Sequence, residues 1–307
     1  AWPELAGAAA AADDDELRAH VEERWEHESP EGRVELLDAL APTLAPADEP
    51  LLERALADRR KPVRLRAAEL LSALPDSAYA QRLVTLAEPV LTLHGGIRGR
   101  RIDVEPPTEL DPKLGLDLKR PRGRGERAHL LIQLLSAAPL RAWTERFGLT
   151  PDELVRARLP KEWRDDVLTG WIEATRQQHE TEWARALVEH VPHLAASLAS
   201  MLPPDEAERA LAKRVRGGDL RDLPLHTGGW GPQLSRELVT RMDRVTEQEL
   251  VRPVAAALHP STLDDAATAL QRIAERGSWT GRGAKRGLEL ITFRRAMLAA
   301  LNEEPEG

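Results

Sequence analysis

The sequence predicts an all-α protein in which short helices pack in antiparallel pairs. Ala and Leu dominate the composition, aromatic residues make up only 4% of the chain, and the β-branched residues typical of strands are sparse. Apolar stripes at helical spacing recur along most of the 307 residues and are separated by short turns. Because such short helices cannot bury their apolar faces alone, we expect neighbouring pairs to stack on one another.

Composition also excludes several functional classes. The chain has no Cys, which rules out disulfides, thiolate zinc sites and cysteine nucleophiles and suits a reducing cytoplasm. No apolar run approaches the roughly 18–20 residues of a membrane span, and no secretory signal pattern is present. The net charge is −8, and an acidic body is a poor binder of polyanions. We therefore expect a cytoplasmic protein that does not bind membranes.

The chain begins with a low-complexity segment, residues 1–12, which we expect to be disordered or weakly ordered. Residues 13–93 are predicted to form the first group of helices. The acidic run at 13–16 suits a first helical turn, where it complements the helix dipole. Ser29 followed by Pro30 is typical of the start of the next helix.

In the stretch ALADRRKPVRLRAAELL, an aspartate in a turn precedes Val-Arg at the start of a helix. This spacing of Asp58, Val63 and Arg64 resembles the HEAT repeat, and the resemblance covers residues 46–83 and is loose elsewhere. It implies that Asp58 and Arg64 take part in the hydrogen-bonded ladder that links successive HEAT units. The alternative is an ordinary helical hairpin that carries the same residues.

Residues 94–127 interrupt the helical pattern with a segment that is rich in Gly, Pro and Arg and contains nine basic and six acidic side chains. RRIDVE and LGLDL are predicted to pair as a short β-hairpin around PPTELDPK. Arg with Gly can grip an acidic protein face or a phosphate backbone, and the lack of interleaved aromatics favours an acidic protein. A solvated loop without a partner is the alternative. The candidate partner-binding residues here are Arg98, Arg100, Arg101, Lys119, Arg120, Arg122, Arg124 and Arg127.

Residues 128–302 resume the helical pattern, and residues 303–307 form a tail. Thr150-Pro151 marks a helix start, and the whole chain is predicted to contain about fourteen helices. Four tryptophans stand at stripe positions and are predicted to lie in the core: Trp143, Trp163, Trp171 and Trp183.

Two Gly-rich segments separate the C-terminal helices. In LHTGGWGP, Trp230 is a candidate partner-binding anchor, because a large ring in a loop has few core neighbours; packing within the loop is the alternative. RGSWTGRGAKRG, before the last helix, departs by one residue from the Gly-x-Gly-x-x-Gly phosphate loop and follows a helix rather than a strand. Arg282, Lys285 and Arg286 are candidates to hold an anion at the start of that helix, with a flexible turn as the alternative.

The histidines give no convincing metal site. His190 and His193 are separated by a proline that ends the helix and splays the pair, and no further ligand stands at a recognisable spacing. His20, Glu23 and His27 share one helix face, where a polar surface is the better explanation. We expect no metal and no cofactor, and no catalytic residues are assigned.

Three stretches, GERAHLLIQLLSAAPLRAW (125–143), RDDVLTGWIEATRQQHETEWARAL (164–187) and GGWGPQLSRELV (228–239), are similar to an uncharacterised bacterial family of HEAT-like proteins. With the HEAT-like unit they cover most of residues 30–300. Members are often encoded beside a MoxR-type AAA ATPase and a von Willebrand factor A-domain protein. The resemblance therefore implies a protein partner of one of these classes and transfers no catalytic residues.

These observations predict a right-handed HEAT-like α-solenoid with one long inserted loop, acting as a non-catalytic protein-interaction scaffold or adaptor. Stacked pairs would offer a long concave surface for a partner. The alternative from another class is a nucleic-acid-binding protein or a HEAT-like DNA glycosylase that uses the basic loop, which the acidic body disfavours. A metal hydrolase is a third and weaker option.

Overall fold

The computed structural model describes residues 14–95, 99–191, 196–218, 220, 230–247, 250–275 and 279–303. These residues are mostly helical, with one small two-stranded sheet, which confirms the predicted all-α class. The chain divides into two compact units, unit 1 (Ala1–Ala186) and unit 2 (Leu187–Gly307). None of the described helices is long and apolar enough to cross a membrane.

In unit 1, several helices start at side-chain caps, and the sequence predicts those at Ser29 and Thr150. The hydroxyl oxygen of Ser29 accepts a hydrogen bond from a backbone amide of the next turn, as does that of Ser77. Thr150 and Glu153 form a reciprocal capping box. The helices are α1 (Asp14–Arg24), α2 (Pro30–Leu40), α3 (Glu49–Leu56), α4 (Lys61–Ser72), α5 (Ala78–Ala87), α6 (Glu126–Ala137), α7 (Leu140–Phe147), α8 (Pro151–Arg156), α9 (Arg164–Gln178) and α10 (Thr181–His190), in which the division between the units falls.

Helix α4 lies at the centre of unit 1 and packs against α2, α3, α5, α6 and α9. Its apolar stripe is buried and includes Val63, Ala67, Leu70 and Leu71. A helix whose apolar face meets five neighbours is stabilised mainly by this burial rather than by its own propensity.

Helices α6 and α9 pack against each other more extensively than any other described helix pair in unit 1. Gly170 on α9 permits this approach, because a Cβ at that position would lie 2.6 Å from the Cβ of Leu135 on α6. Gln178, the last residue of α9, accepts a hydrogen bond from the Leu140 amide at 2.8 Å and donates one to the Ala138 carbonyl at 3.0 Å. The end of α9 thereby fixes the turn from α6 to α7.

The predicted core tryptophans of unit 1 are confirmed in three of four cases. Trp143, Trp171 and Trp183 are buried, and Trp163 is partly buried. Trp171 and Trp183 meet edge to face, with ring centroids 5.3 Å apart.

The predicted pairing of RRIDVE with LGLDL is wrong, although RIDV does form a strand. Strand β1 (Leu91–His94) pairs antiparallel with β2 (Arg101–Val104), so that Leu91 lies opposite Val104. LTLH is the nearer partner along the chain, and its pairing with RIDV places Leu91 in the core. The other edge of β2 is occupied by Arg158, whose carbonyl accepts a hydrogen bond from the Ile102 amide at 2.9 Å.

Unit 2 has its own apolar core, and each of its six described α-helices, α11 to α16, contributes residues to it. Helix α16 packs on α14 and α15, and α11 packs on α12. The helices are α11 (Pro204–Arg216), α12 (Pro232–Val239), α13 (Met242–Glu247), α14 (Val251–Ala257), α15 (Leu263–Ala274) and α16 (Trp279–Glu303).

The prediction of a Gly-rich loop before the last helix is wrong for its described part, because α16 already begins at Trp279. Two of its three glycines face close neighbours. A Cβ at Gly287 would lie 2.2 Å from Cγ1 of Val251, and one at Gly281 would lie 3.2 Å from the Ala274 carbonyl oxygen. Glycine here gives the helix room to approach α14 and α15, and burial of the helix offsets its low intrinsic propensity.

Candidate functional site

Several basic residues of the 94–127 segment are ion-paired within unit 1. Arg98 lies outside the described residues. Arg100 contacts Glu153 on α8, with Nη1 and Oε1 2.6 Å apart. Arg101 contacts Asp103 at 3.0 Å on its own strand. Arg127 donates to Glu105 at 2.6 Å and to the Pro106 carbonyl at 2.7 Å. The charges of these guanidinium groups are therefore partly neutralised within unit 1.

The remaining candidates of the segment lie around a turn at 121–124. Arg120 donates to the Arg124 carbonyl at 3.0 Å and so closes the turn. Burial raises the pKa of Asp166 on α9, and the positive charge of Arg124 opposes this shift. Lys119 and Arg122 are exposed, and their side chains form no ion pair with any described residue. Because acids engage several of the described basic candidates, these candidates do not offer the continuous unpaired stripe that tracks a phosphate backbone.

Residues 105–125, called the strap below, are held against the helices of unit 1. Tyr79 on α5 donates its buried hydroxyl proton to the Leu114 carbonyl at 2.8 Å. Gly115 takes the left-handed conformation at φ 69°. A Cβ there would meet Cδ1 of Leu56 at 2.5 Å and the carbonyl oxygen of Arg64 at 2.8 Å. The strap thus passes so close to α3 and α4 that only glycine fits.

Charged and polar contacts continue the attachment beyond Gly115. Lys61 at the start of α4 contacts Asp117 at 2.7 Å. The Asp117 amide donates to Gln133 at 3.0 Å, and Nε2 of the buried His129 lies 2.7 Å from the Asp117 carbonyl oxygen. The hydrogen bond from Lys61 holds the pKa of Asp117 below its usual range against the opposing effect of burial. The whole middle of the inserted segment is therefore ordered on α3–α6.

The strap completes a cleft, called cleft A, with α3, α4 and α5. Its volume is about 590 Å³, within the range of small binding pockets. The cleft combines an apolar surface with a charged rim. Leu56, Ala57, Pro112 and Leu114 supply the apolar surface, and Arg64, Arg82, Lys113, Glu53 and Asp111 supply the rim.

The rim charges of cleft A are unequally paired. Arg82 donates to both carboxylate oxygens of Glu53, at 2.9 and 3.1 Å. Asp111 accepts from the Lys113 amide at 2.8 Å and caps the short turn that carries Leu114. The ammonium group of Lys113 is exposed and has no ion-pair partner among the described residues.

A second cleft, called cleft B, is lined in part by the turn between α3 and α4. Its volume is about 410 Å³, and it shares Ala57 with cleft A. Arg33 on α2 crosses it, lying over the Trp25 ring at 5.4 Å and contacting Asp58 at 2.6 Å. Burial raises the pKa of Asp58, but hydrogen bonds from the Arg60 amide and from Arg33 outweigh it and hold that pKa below its usual value.

Asp58 and Arg64, the two residues that the HEAT resemblance assigns to the ladder, lie at the same turn and make separate contacts. The carboxylate of Asp58 pairs with Arg33 on α2 at 2.6 Å. The guanidinium of Arg64 donates to the carbonyl oxygens of Asp58 at 2.9 Å and Arg59 at 3.0 Å. Asp58 therefore links α2 to the α3–α4 turn, while Arg64 stabilises the turn itself.

Sequence reasoning missed the residues that make this site: Arg59, Arg60, Arg82 and Lys113. One signal was available in LDPKLGL, where Asp-Pro and Gly mark a turn. The leucines on both sides of that turn are unusual in a segment rich in Gly, Pro and Arg. The sequence could not predict that Lys113 lacks an acidic partner among the described residues, because nearby acids such as Glu53 are paired with residues far away in sequence.

The unit 2 candidates do not form a site. Trp230 is 5% exposed and lies in the core of unit 2, and its amide donates to the Ala257 carbonyl at 2.7 Å. The prediction of an exposed anchor is therefore wrong. Arg282, Lys285 and Arg286 are exposed on α16 rather than placed in a loop. Their backbone amides lie in a helix, so the expected loop that would hold an anion is absent from the described part of this segment.

Metal ligation finds no support in the described parts of the chain, where no three His, Asp or Glu side chains come together as ligands. His190 ends α10, and His193 lies outside the described residues. His20 and His27 belong to α1 and the short turn after it.

Comparison with known proteins gives a family and no function. Searches of curated proteins and of solved structures found no significant match. A family profile matches residues 7–301, which is nearly the whole chain. The chain therefore belongs to the family of unknown function DUF5691.

Proposed function

We propose that this chain is a non-catalytic scaffold or adaptor that binds another protein through cleft A of unit 1. The observation that carries the proposal is the composition of that cleft, which places apolar side chains beside a cation without an acidic partner. Protein-binding surfaces typically combine an apolar centre that supplies affinity with a polar rim that supplies orientation.

The strap supports this proposal because it forms one wall of cleft A in the chain without a bound partner. Leu114 and Pro112 reach the cleft from a segment held by the Tyr79 hydroxyl, by Gly115 and by Lys61. A wall fixed before binding loses little conformational entropy when a partner docks.

The proposal also covers the way in which the helix pairs stack and the class of protein that the chain binds. We propose that successive helix pairs stack as a right-handed HEAT-like solenoid, which the α3–α4 hairpin and its Asp58 contact to α2 support. The resemblance to bacterial HEAT-like proteins makes an AAA ATPase or a von Willebrand factor A-domain protein the first partners to examine, in the cytoplasm.

Nucleic-acid binding is the less supported alternative. The paired state of Arg100, Arg101 and Arg127 reduces the charge that could contact phosphates. Titration with duplex DNA at two salt concentrations tests this alternative, because phosphate binding must weaken steeply as salt rises.

Site-specific photocrosslinking tests the main proposal. A benzophenone amino acid is placed at Ala57, which is exposed and shared by both clefts, in the cells that naturally produce the chain. The matched control carries it at Glu145, exposed on α7. We expect a protein adduct at Ala57 that is missing at Glu145, and Lys113→Glu should weaken it. The same adducts at both positions, or none at Ala57, would overturn the proposal.

A further inference from the structure

Clefts A and B form one surface across the turn at Ala57–Arg60. Ala57 lines both clefts, and the guanidinium of Arg64 lies on the carbonyl oxygens of the same turn. A chain that lies over Ala57 therefore reaches the apolar part of cleft A and the charged part of cleft B together.

The charges on this surface leave an excess of cations. Each acid nearest the turn already has a donor: Glu53 is held by Arg82, and Asp58 is held by Arg33. Arg59 and Arg60 line cleft B, are exposed, and pair with no carboxylate among the described residues.

Two further cations add to this excess. Arg64 is satisfied by carbonyl oxygens, so its charge is not neutralised by a direct ion pair. Lys113 is free on the rim of cleft A. Among the acids that line the two clefts, Glu26 has no described donor, and Asp111 accepts from the Lys113 backbone amide, so neither carboxylate is held in a described ion pair. Four cations against these two carboxylates leave an excess of positive charge that favours an anionic partner.

The strap shows what kind of chain these helices already accept. It places Leu114 beside α3, α4 and α5, and its Asp117 contacts Lys61 at 2.7 Å. An apolar side chain followed by a carboxylate thus suits the start of α4, as a segment of the same molecule demonstrates.

We infer that clefts A and B together bind an extended acidic segment of a protein partner, with one apolar side chain in cleft A and carboxylates on Arg59, Arg60 and Lys113. The inference rests on the proposed protein-binding function and names the chemistry of the partner. A nucleic-acid strand fits less well, because the apolar part of cleft A offers no donor to a phosphate, and Tyr79 is buried rather than available for base stacking.

Fluorescence anisotropy with the full chain tests the inference. The probe is a labelled synthetic peptide with one leucine among glutamates, compared with a peptide that has lysines in place of the glutamates and one that has serine in place of the leucine. We expect saturable binding of the first peptide that weakens with salt, about tenfold weaker binding of the serine peptide, and no binding of the lysine peptide.

Charge-reversal variants locate the binding. The double variant Arg60→Glu, Lys113→Glu should bind the acidic peptide at least about tenfold more weakly than the unaltered chain. Lys161→Glu changes an exposed lysine away from both clefts and should leave binding unchanged. Matching circular dichroism spectra establish that the variants fold.

The outcomes separate this inference from the proposed function. Equal binding of acidic and lysine peptides, or equal binding by the double variant, overturns the inference. Displacement of the peptide by a short duplex DNA at similar concentration favours nucleic acid and also overturns it. A specific protein crosslink at Ala57 together with failure of the acidic peptide leaves the protein-binding function standing and refutes only the partner chemistry.

Discussion

Two segments rich in Gly and Arg, one in each unit, have opposite structures. The strap in unit 1 follows an irregular course and contains four prolines, at 106, 107, 112 and 121. The start of α16 in unit 2 contains three glycines within nine residues and no proline, and it is helical from Trp279. Composition alone made both segments look like loops.

The difference shows that glycine serves two physical purposes in this chain. In the strap, Gly115 needs a positive φ of 69° and also a lack of side-chain volume. In α16, Gly287 has helical backbone and needs only the lack of volume, since Val251 and Leu270 lie against it. Proline, rather than glycine, separates the irregular segment from the helical one.

The largest expected loss of stability comes from a substitution that disrupts the contact of the strap with α3 and α4. Gly115→Ala forces an alanine into the left-handed region and against Leu56 and the Arg64 carbonyl, so we expect the free energy of unfolding to fall by about 2–4 kcal/mol. Gly148→Ala is the control, because Gly148 has φ 61° but open space around its Cβ position. It should cost only about 1–2 kcal/mol. Equal losses in urea unfolding would show that packing against α3 and α4 contributes nothing.

The next effect concerns the close approach in unit 2. Gly287→Val overpacks the contact with Val251 and Leu270 and should lower the free energy of unfolding by about 1–3 kcal/mol. Gly283→Val is the matched control, since its Cβ would sit 3.8 Å from Thr246, and it should change stability by less than about 0.5 kcal/mol. If both variants unfold alike, the glycines of α16 do not serve close packing.

Local signals predicted the helices well and the contacts of the strap poorly. The caps at Ser29, Ser77 and Thr150 and the stripe of α4 are encoded within a few residues, so they are legible along the sequence. The pairing of Lys61 with Asp117 joins residues 56 positions apart. A one-dimensional pattern carries no information on such a pair.

The candidate site was predicted in part for the same reason. Arginines were correctly seen as concentrated in 94–127, but Arg100 and Arg127 are engaged by acids brought together by folding. The free cations Arg59 and Arg60 stood in a stretch interpreted as a structural turn. Trp230 was misplaced because a Gly-rich sequence says nothing about the core that closes over it.

A smaller effect tests the single hydroxyl that holds the strap. Tyr79→Phe removes the hydrogen bond to the Leu114 carbonyl and leaves a buried acceptor unpaired, which should cost about 1–2 kcal/mol. The measurement is urea unfolding at neutral pH. A stabilised variant would mean that the strap is not anchored at Leu114.

The same residue predicts an alkaline transition. Burial raises the pKa of Tyr79 above its ordinary value, so the folded state keeps a proton that the unfolded state loses above about pH 10. Stability should therefore be unaffected by this group below that pH and fall as pH rises above it. Tyr79 is the only tyrosine, so tyrosinate absorbance reports it alone and should appear together with unfolding. Its appearance in folded protein near the ordinary pKa would contradict the burial.

The smallest effect concerns the ion pair of the strap. Lys61 and Asp117 are each nearly half exposed, so Lys61→Ala should cost less than about 1 kcal/mol, and high salt should reduce the difference further. Because the pKa of Asp117 is lowered by Lys61, this contribution is present above the ordinary pKa of aspartate and lost as pH falls below it. A loss as large as that of Gly115→Ala would mean that charge holds the strap. The expected order of these losses instead means that the buried contact at Leu114 and Gly115 holds the strap on the helices. The wall of cleft A then does not depend on Arg59, Arg60 or Lys113, so these cations remain available for the proposed partner.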